Sequence, residues 1–213
     1  SQMKSHSSTH TAEKSGNFEE NQFSIEASAK AFMILSDGLY SNKILAVIRE
    51  LSTNAYDSHV DAGVADRPFE VHLPTRLEPY FHVRDYGTSM THDQCMTLYT
   101  TYFRSTRNDS NDAVGCLGLG SKAPFAYADS FTVEAFKDGE KRVYAAHRDN
   151  NGSPTFCLMD TVPTDEENGI KVSLPVDKRD CDRFPKEATK TYQYFKVRPS
   201  LNAELFYNTE RSL

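Results

Sequence analysis

Glu50, Asn54 and Asp57 fall at i, i+4 and i+7 of Arg49-Glu50-Leu51-Ser52-Thr53-Asn54-Ala55-Tyr56-Asp57-Ser58, a stretch that reads as the middle of a helix. That spacing puts all three on one face. A carboxylate, an amide and a second carboxylate stacked together are costly if buried without partners. The face is therefore either solvated or turned toward something polar. Two further groups follow. Asp85-Tyr86-Gly87-Thr88-Ser89-Met90-Thr91 comes directly after a strand pattern, and Gly115-Cys116-Leu117-Gly118-Leu119-Gly120-Ser121-Lys122 leads into a helix. An ionised Asp85 is an acceptor-only group. Glycines let the main chain approach a ligand closely, and the free N–H groups of a following helix attract anions.

The elements that must position these groups are legible from periodicity. Ile44, Val47, Ile48, Leu51 and Ala55 recur at helical spacing and form one apolar stripe on a helix over about 42–61. Ser41-Asn42 supplies its cap, and Ala62-Gly63 its end. Before it, Ala27 to Leu39 reads as a short helix stopped or bent at Gly38. Phe69 to Leu73 and Tyr80 to Arg84 alternate as neighbouring strands, with Asp85 at the C-terminal end of the second. Thr91-His92-Asp93-Gln94 is a capping-box pattern opening a short helix through Leu98 and Tyr99. Residues 100–114 are polar and turn-prone and predict a mobile loop, after which the glycine-rich turn enters a helix through Ala128.

Three or four strands are expected next: Phe131 to Phe136, Arg142 to His147, Thr155 to Met159 and Ile170 to Leu174. Asp138-Gly139 and Asn151-Gly152 are turns between them. Asp177 is expected to cap a last helix to about Phe195, with Pro185 limiting its first part. The order predicts an α/β (α+β) two-layer sandwich, with helices covering one face of a mixed, mostly antiparallel sheet. Residues 1–22 read as a flexible tail or arm, with Ser1-Gln2 before Met3 as a cloning remnant. Residues 23–196 read as the domain, and 197–213 as a linker or the start of a further C-terminal domain.

With 213 residues, 38% hydrophobic and 25% charged, the chain suits one domain with its own core. The net charge of −6 disfavours a general nucleic-acid-binding surface. Cys95, Cys116, Cys157 and Cys181 are scattered without Cys-x-x-Cys and read as reduced thiols, and the seven histidines show no metal-ligand spacing. No apolar run is long enough to span a membrane, and no signal peptide is visible.

The three groups, in this order and at this spacing, resemble the nucleotide-binding boxes of the GHKL ATPases, the superfamily of the gyrase B subunit, Hsp90, MutL and histidine kinases, which share the Bergerat, or Hsp90-like ATPase, fold. The glycine spacing is not the Gly-x4-Gly-Lys-Ser/Thr of a P-loop. Leu35 to Lys43, Ile48 to Asp57, Thr101 to Thr106 and Gly118 to Tyr127 look like the N-terminal domain of the phage RIIA lysis-inhibition proteins. That resemblance covers about residues 30–175.

The superfamily resemblance implies ATP and Mg²⁺ as ligands. Asn54 is then the magnesium ligand, its amide oxygen being a suitable hard donor. Glu50, one turn earlier, positions or deprotonates the attacking water. Asp85 accepts from the exocyclic amine of adenine, which guanine does not offer at that position. Asp57 supports the adenine side, Gly87 keeps the turn close to the base, and Met90 lies against the ring as a soft apolar contact. Gly115, Leu117, Gly118, Leu119 and Gly120 carry main chain past the phosphates, with Ser121 and Lys122 adding a hydroxyl and a charge. Arg104 and Arg107, in the expected lid, are either phosphate contacts or solvated charges. Two positions depart from the pattern. Ser89 stands where the family usually has a second glycine, so its Cβ restricts the lid or demands an altered turn. Ile170 stands where many members carry a threonine that binds adenine through water.

Read together, these features predict a slow ATPase acting as a nucleotide-dependent switch in a phage protein of the RIIA lysis-inhibition and anti-exclusion type. The alternatives are a non-hydrolysing ATP-binding module and a degenerate adaptor working through protein partners. The implied partners are ATP, a second copy in an ATP-dependent homodimer and a phage or host protein. The implied location is the host cytoplasm, with peripheral association at the inner membrane. No phosphoacceptor helix pair precedes the domain, which argues against a histidine kinase. The acidic charge argues against a DNA role like that of gyrase or MutL.

Overall fold

The computed structural model describes residues 42–105, 123–151 and 153–207. The expected tail, the helix at 27–39, most of the lid and the glycine-rich turn Gly115–Lys122 lie outside those residues.

Helix α1, Lys43–Asp61, is the longest element among the described residues. Asn42 caps it, its side chain accepting from the Leu45 N–H at 3.1 Å, and Gly63 follows the C-terminus at φ +74°. The expected stripe is buried, and Ser52 and His59 are buried with it. Strands β1, Glu70–His72, and β2, Tyr80–Arg84, form an antiparallel pair. Helix α2, His92–Ser105, opens on the expected capping box: Thr91 N–H donates to Gln94 Oε1 at 2.8 Å, and Gln94 N–H to Thr91 Oγ1 at 3.2 Å. It runs to Ser105, so residues 100–105 are helical where the sequence predicts the start of a loop. That polar stretch carries little apolar patterning, and the helix is extended from an N-terminal part anchored by the buried Cys95 and Tyr99.

A short helix, α3, Ala123–Tyr127, precedes strands β3, Ser130–Lys137, and β4, Glu140–Arg148. Asp138 at φ 52° and Gly139 at φ 85° make the tight turn between them, both in the left-handed region that such a hairpin requires. Strands β5, Pro154–Pro163, and β6, Gly169–Pro175, follow. Asp177 caps a 3-10 turn, Lys178–Asp180, and the last helix, α4, begins separately at Arg183 and ends at Tyr192. The sequence reading merged the two. Ser200–Leu201 forms a seventh strand, β7, parallel to β1 at the sheet edge, in a segment with no strand pattern of its own.

The sheet order is β5-β4-β3-β6-β2-β1-β7, antiparallel throughout except for the β1–β7 pair. Register aligns Val71, Val83, Val172, Val133 and Tyr144 in one row across five strands, with Phe81 beside Leu174 in the next. These side chains and the buried stripe of α1 belong to one core, joined by Phe125, Phe184, Ala188 and Tyr192 from α3 and α4. Helices α1 and α4 are also tied by a buried hydrogen bond between Ser52 Oγ and the Tyr192 hydroxyl at 2.8 Å. The architecture is the two-layer α+β sandwich read from the sequence, a mixed sheet with helices on it, consistent with an Hsp90-like ATPase domain.

Candidate functional site

A cavity of about 720 Å³ opens between α1, the ends of β2 and β6, and α2, within the range of small-molecule sites. From α1 it takes Asn54, Asp57, Ser58 and Asp61, the polar face at i, i+3, i+4 and i+7, beside Leu51 and Ala55 at the rim of the apolar stripe. Val83, Ile170 and Val172 supply an apolar floor from the sheet, and Thr97, Leu98, Tyr99 and Thr101 of α2 the far wall. Asp85, Ser89 and Met90 close the end nearest β2.

Asp85 is 6% exposed. Its Oδ1 accepts from the Gly87 N–H at 3.0 Å and the Ile170 N–H at 3.2 Å, while its own N–H donates to the Ile170 carbonyl at 2.8 Å. One carboxylate oxygen is thus fixed by main chain, and the residue still lines the cavity. Burial pushes its pKa above the usual carboxylate range, opposed by the two main-chain donors. Such a group gains from a ligand donor that favours its ionised form.

Gly87 lies under the site. A Cβ there would stand 3.1 Å from Ser58 Cβ and Ser58 O, and 3.3 Å from Asp85 Oδ1. Its lack of a side chain lets the turn after β2 sit on α1. Gly169, which the sequence reading passed over as a site glycine, is more demanding: at φ +146°, an added Cβ would lie 2.0 Å from Asp85 O. Ser89 takes φ 65°, the conformation a glycine would favour, and its Oγ donates to Gly169 O at 2.9 Å. The serine thus adopts the conformation a glycine would favour, and its hydroxyl fastens the turn to Gly169.

Of the sequence-predicted site residues, the cavity brings together Asn54, Asp57, Asp85 and Met90. Glu50 is half-buried on α1 and is not among the described lining residues. Gly115, Leu117, Gly118, Leu119, Gly120, Ser121, Lys122 and Arg107 lie outside the described residues.

Two residues that hold the site were missed. His59 is fully buried; its Nε2 accepts from the Tyr86 N–H at 2.8 Å, which fixes the proton on Nδ1, and Nδ1 donates to Arg67 O at 2.8 Å. Its position on the helical face four residues past Ala55 was the available signal. Arg84 lies between the Tyr86 and Phe136 rings, 4.4 and 4.3 Å from their centroids, and donates to the carbonyls of Asp85, Glu167 and Asn168. It locks the loop before β6 onto the Asp85 turn.

Hard oxygen donors line the cavity, and among the described residues no group of three or more His, Cys, Asp or Glu side chains is placed to hold a metal ion by itself. Asn54 offers an amide oxygen, Asp57 and Asp61 offer carboxylates, and no described lining residue is a cysteine or histidine. The described lining also holds three aspartates and neither lysine nor arginine. An anionic ligand would meet a negative wall unless a cation came with it.

The fold and cavity define an α+β domain of the Hsp90-like kind. No protein-family model matches the chain. Among curated proteins, it is similar to chaperone protein HtpG of Rhodococcus jostii (strain RHA1), 26% identical over 196 residues, covering 76% of this chain and 30% of that protein. It is also similar to chaperone protein HtpG of Mycolicibacterium vanbaalenii, 24% identical over 188 residues, covering 75% of this chain and 29% of that protein. The chain thus spans about three tenths of the length of the curated relatives it matches. Likeness at this level supports the GHKL superfamily, to which Hsp90-type proteins such as HtpG belong, and nothing narrower. Among the described residues, no helix is long and apolar enough to cross a membrane.

Proposed function

We propose that the domain binds Mg-ATP in this cavity and acts as a nucleotide-dependent switch. One observation carries the reading: Asp85, buried with one oxygen held by two main-chain donors, lines a nucleotide-sized cavity together with Asn54 and Asp57 of α1. In this reading Asp85 accepts from the adenine amine, Met90 and Ile170 flank the ring, Asp57 supports the adenine side, and Asn54 holds Mg²⁺ together with the phosphates. The ion would neutralise phosphate charge that the acidic wall cannot. Gly115–Lys122 would supply main-chain donors and a lysine to the phosphates. The matches to HtpG and the order of the three motifs support it.

Glu50 is assigned as the base that positions the attacking water, giving a slow ATPase. The second reading, a module that binds ATP without hydrolysing it, rests on Ser89 and Ile170, the two positions that depart from the family's pattern. The finer identity we propose is a phage protein of the RIIA lysis-inhibition type, working in the host cytoplasm or at its inner membrane through an ATP-dependent homodimer or a protein partner. The four RIIA-like stretches support that identity.

A thermal-shift series tests binding, since a ligand at about 100 times its Kd stabilises by about 2.7 kcal/mol. Mg-ATP should raise Tm and Mg-GTP should not. Phosphate release decides between the two readings: the switch predicts turnover that Glu50→Ala abolishes, and the binding module predicts none in either protein.

A further inference from the structure

Arg142 is a buried cation for which the nucleotide reading has no role. It is 6% exposed on β4. Its Nη2 donates to the Met90 carbonyl and its Nη1 to the Tyr144 hydroxyl at 2.5 Å, while Glu140, largely solvent-facing, lies 4.0 Å from Nε. The charge is therefore satisfied mainly by neutral oxygens, an arrangement that is stable only if those oxygens stay in place. The Tyr144 hydroxyl accepts from Arg142 and so has its own proton for His92 Nδ1, 2.9 Å away. The Tyr144 ring lies nearly parallel to that of His92, with centroids 5.8 Å apart.

One guanidinium thus fastens two parts of the cavity wall to the sheet. Met90 lies near the end of the irregular 85–91 segment, which has no strand or helix ladder to define it. His92 is the first residue of α2, the helix that forms the far wall. We propose that Arg142 is the positioning residue for the base end of the cavity. It fixes the Met90 main chain so that the Met90 side chain presents a set apolar surface to an aromatic ring held by Asp85. The inference rests on the nucleotide reading and deepens it.

Wild type and Arg142→Met are titrated with Mg-ATP and with magnesium tripolyphosphate, which has the phosphates without the base. The expected result is a Kd for ATP about tenfold higher in the variant, about 1.4 kcal/mol, with tripolyphosphate affinity unchanged. Unchanged ATP affinity overturns the proposal, because Met90 is then held without Arg142. Equal losses for both ligands also overturn it, because the residue then supports the fold at large. Tripolyphosphate binding without ATP binding in wild type would sink the nucleotide reading itself, a separate outcome. Arg142→Lys keeps the charge and one donor and serves if the methionine variant does not fold. Its amide exchange should quicken over residues 87–91 and not in β3 or β6, and uniform or absent acceleration contradicts the assignment.

Discussion

Asp85 and Ile170 are joined twice: the Asp85 N–H donates to the Ile170 carbonyl at 2.8 Å, and the Ile170 N–H returns to Asp85 Oδ1 at 3.2 Å. The side chain at the base end of the cavity is thus part of the junction between β2 and β6. This separates its structural role from its proposed recognition role. Asp85→Asn keeps an oxygen for both main-chain donors and removes a buried charge. Burial raises the Asp85 pKa, so its contribution to stability is complete below its unfolded pKa and is lost as pH rises through its folded pKa. Asp85→Asn should therefore match or exceed wild-type Tm at pH 7, with the gain vanishing in acid. Asp85→Ala strands two N–H groups and should lose about 1–3 kcal/mol. Calorimetric melts at several pH values check both.

Ser89 and Gly169 make a second pair with opposite tolerances. Ser89 sits in the left-handed region at a cost of about 1 kcal/mol, roughly offset by its bond to Gly169 O. Ser89→Gly should be near neutral. Ser89→Ala keeps the strain and loses the bond, and should cost about 1 kcal/mol. Gly169→Ala places a Cβ 2.0 Å from Asp85 O at φ +146°, and should cost more than about 3 kcal/mol. Urea denaturation orders the three.

On the sheet face opposite the core, His82 lies in register with His72, their rings stacked 5.3 Å apart. Burial first, then Lys171 and His72, lower the His82 pKa to about 4. A lowered histidine pKa gives stability that is complete above the unfolded value and lost as pH falls. The domain should weaken between about pH 6.5 and 4, and His82→Gln should flatten that part of the profile relative to wild type. Chemical denaturation across the window measures it; identical profiles would show that His82 does not contribute.

Three aspartates and no described cation line the cavity. Chelation should therefore weaken ATP binding by more than about tenfold, by Coulombic repulsion alone, and added Mg²⁺ should restore it. Titrations with and without a chelator decide this.

The sequence was most legible where a local rule acts alone. Asn42 and Gly63 bound α1, Thr91 and Gln94 open α2, and Asp138-Gly139 turns the β3–β4 hairpin, each by contacts within a few residues. Asn54, Asp57 and Asp85 line one cavity, while Glu50, expected on the same helix face, is not among its described lining residues. What was not legible depends on distant partners. Arg84 and Arg142 are charged and would be read as solvent-facing, and carbonyls at 167–168 and 90 are what allow their burial. His59 carries no motif, because its partners are main-chain atoms of residues 67 and 86. The two-residue strand β7 is too short for alternation to mark it and exists only through pairing with β1. The α2 extension to Ser105 was missed because its polar residues match a loop in composition.

The most direct test is calorimetric titration of the domain with Mg-ATP, beside Mg-GTP and Asp85→Asn. The account predicts saturable ATP binding, no GTP binding, and loss of ATP binding in a variant whose melting temperature is undiminished. Equal binding of ATP and GTP, or ATP binding that survives Asp85→Asn, would contradict it.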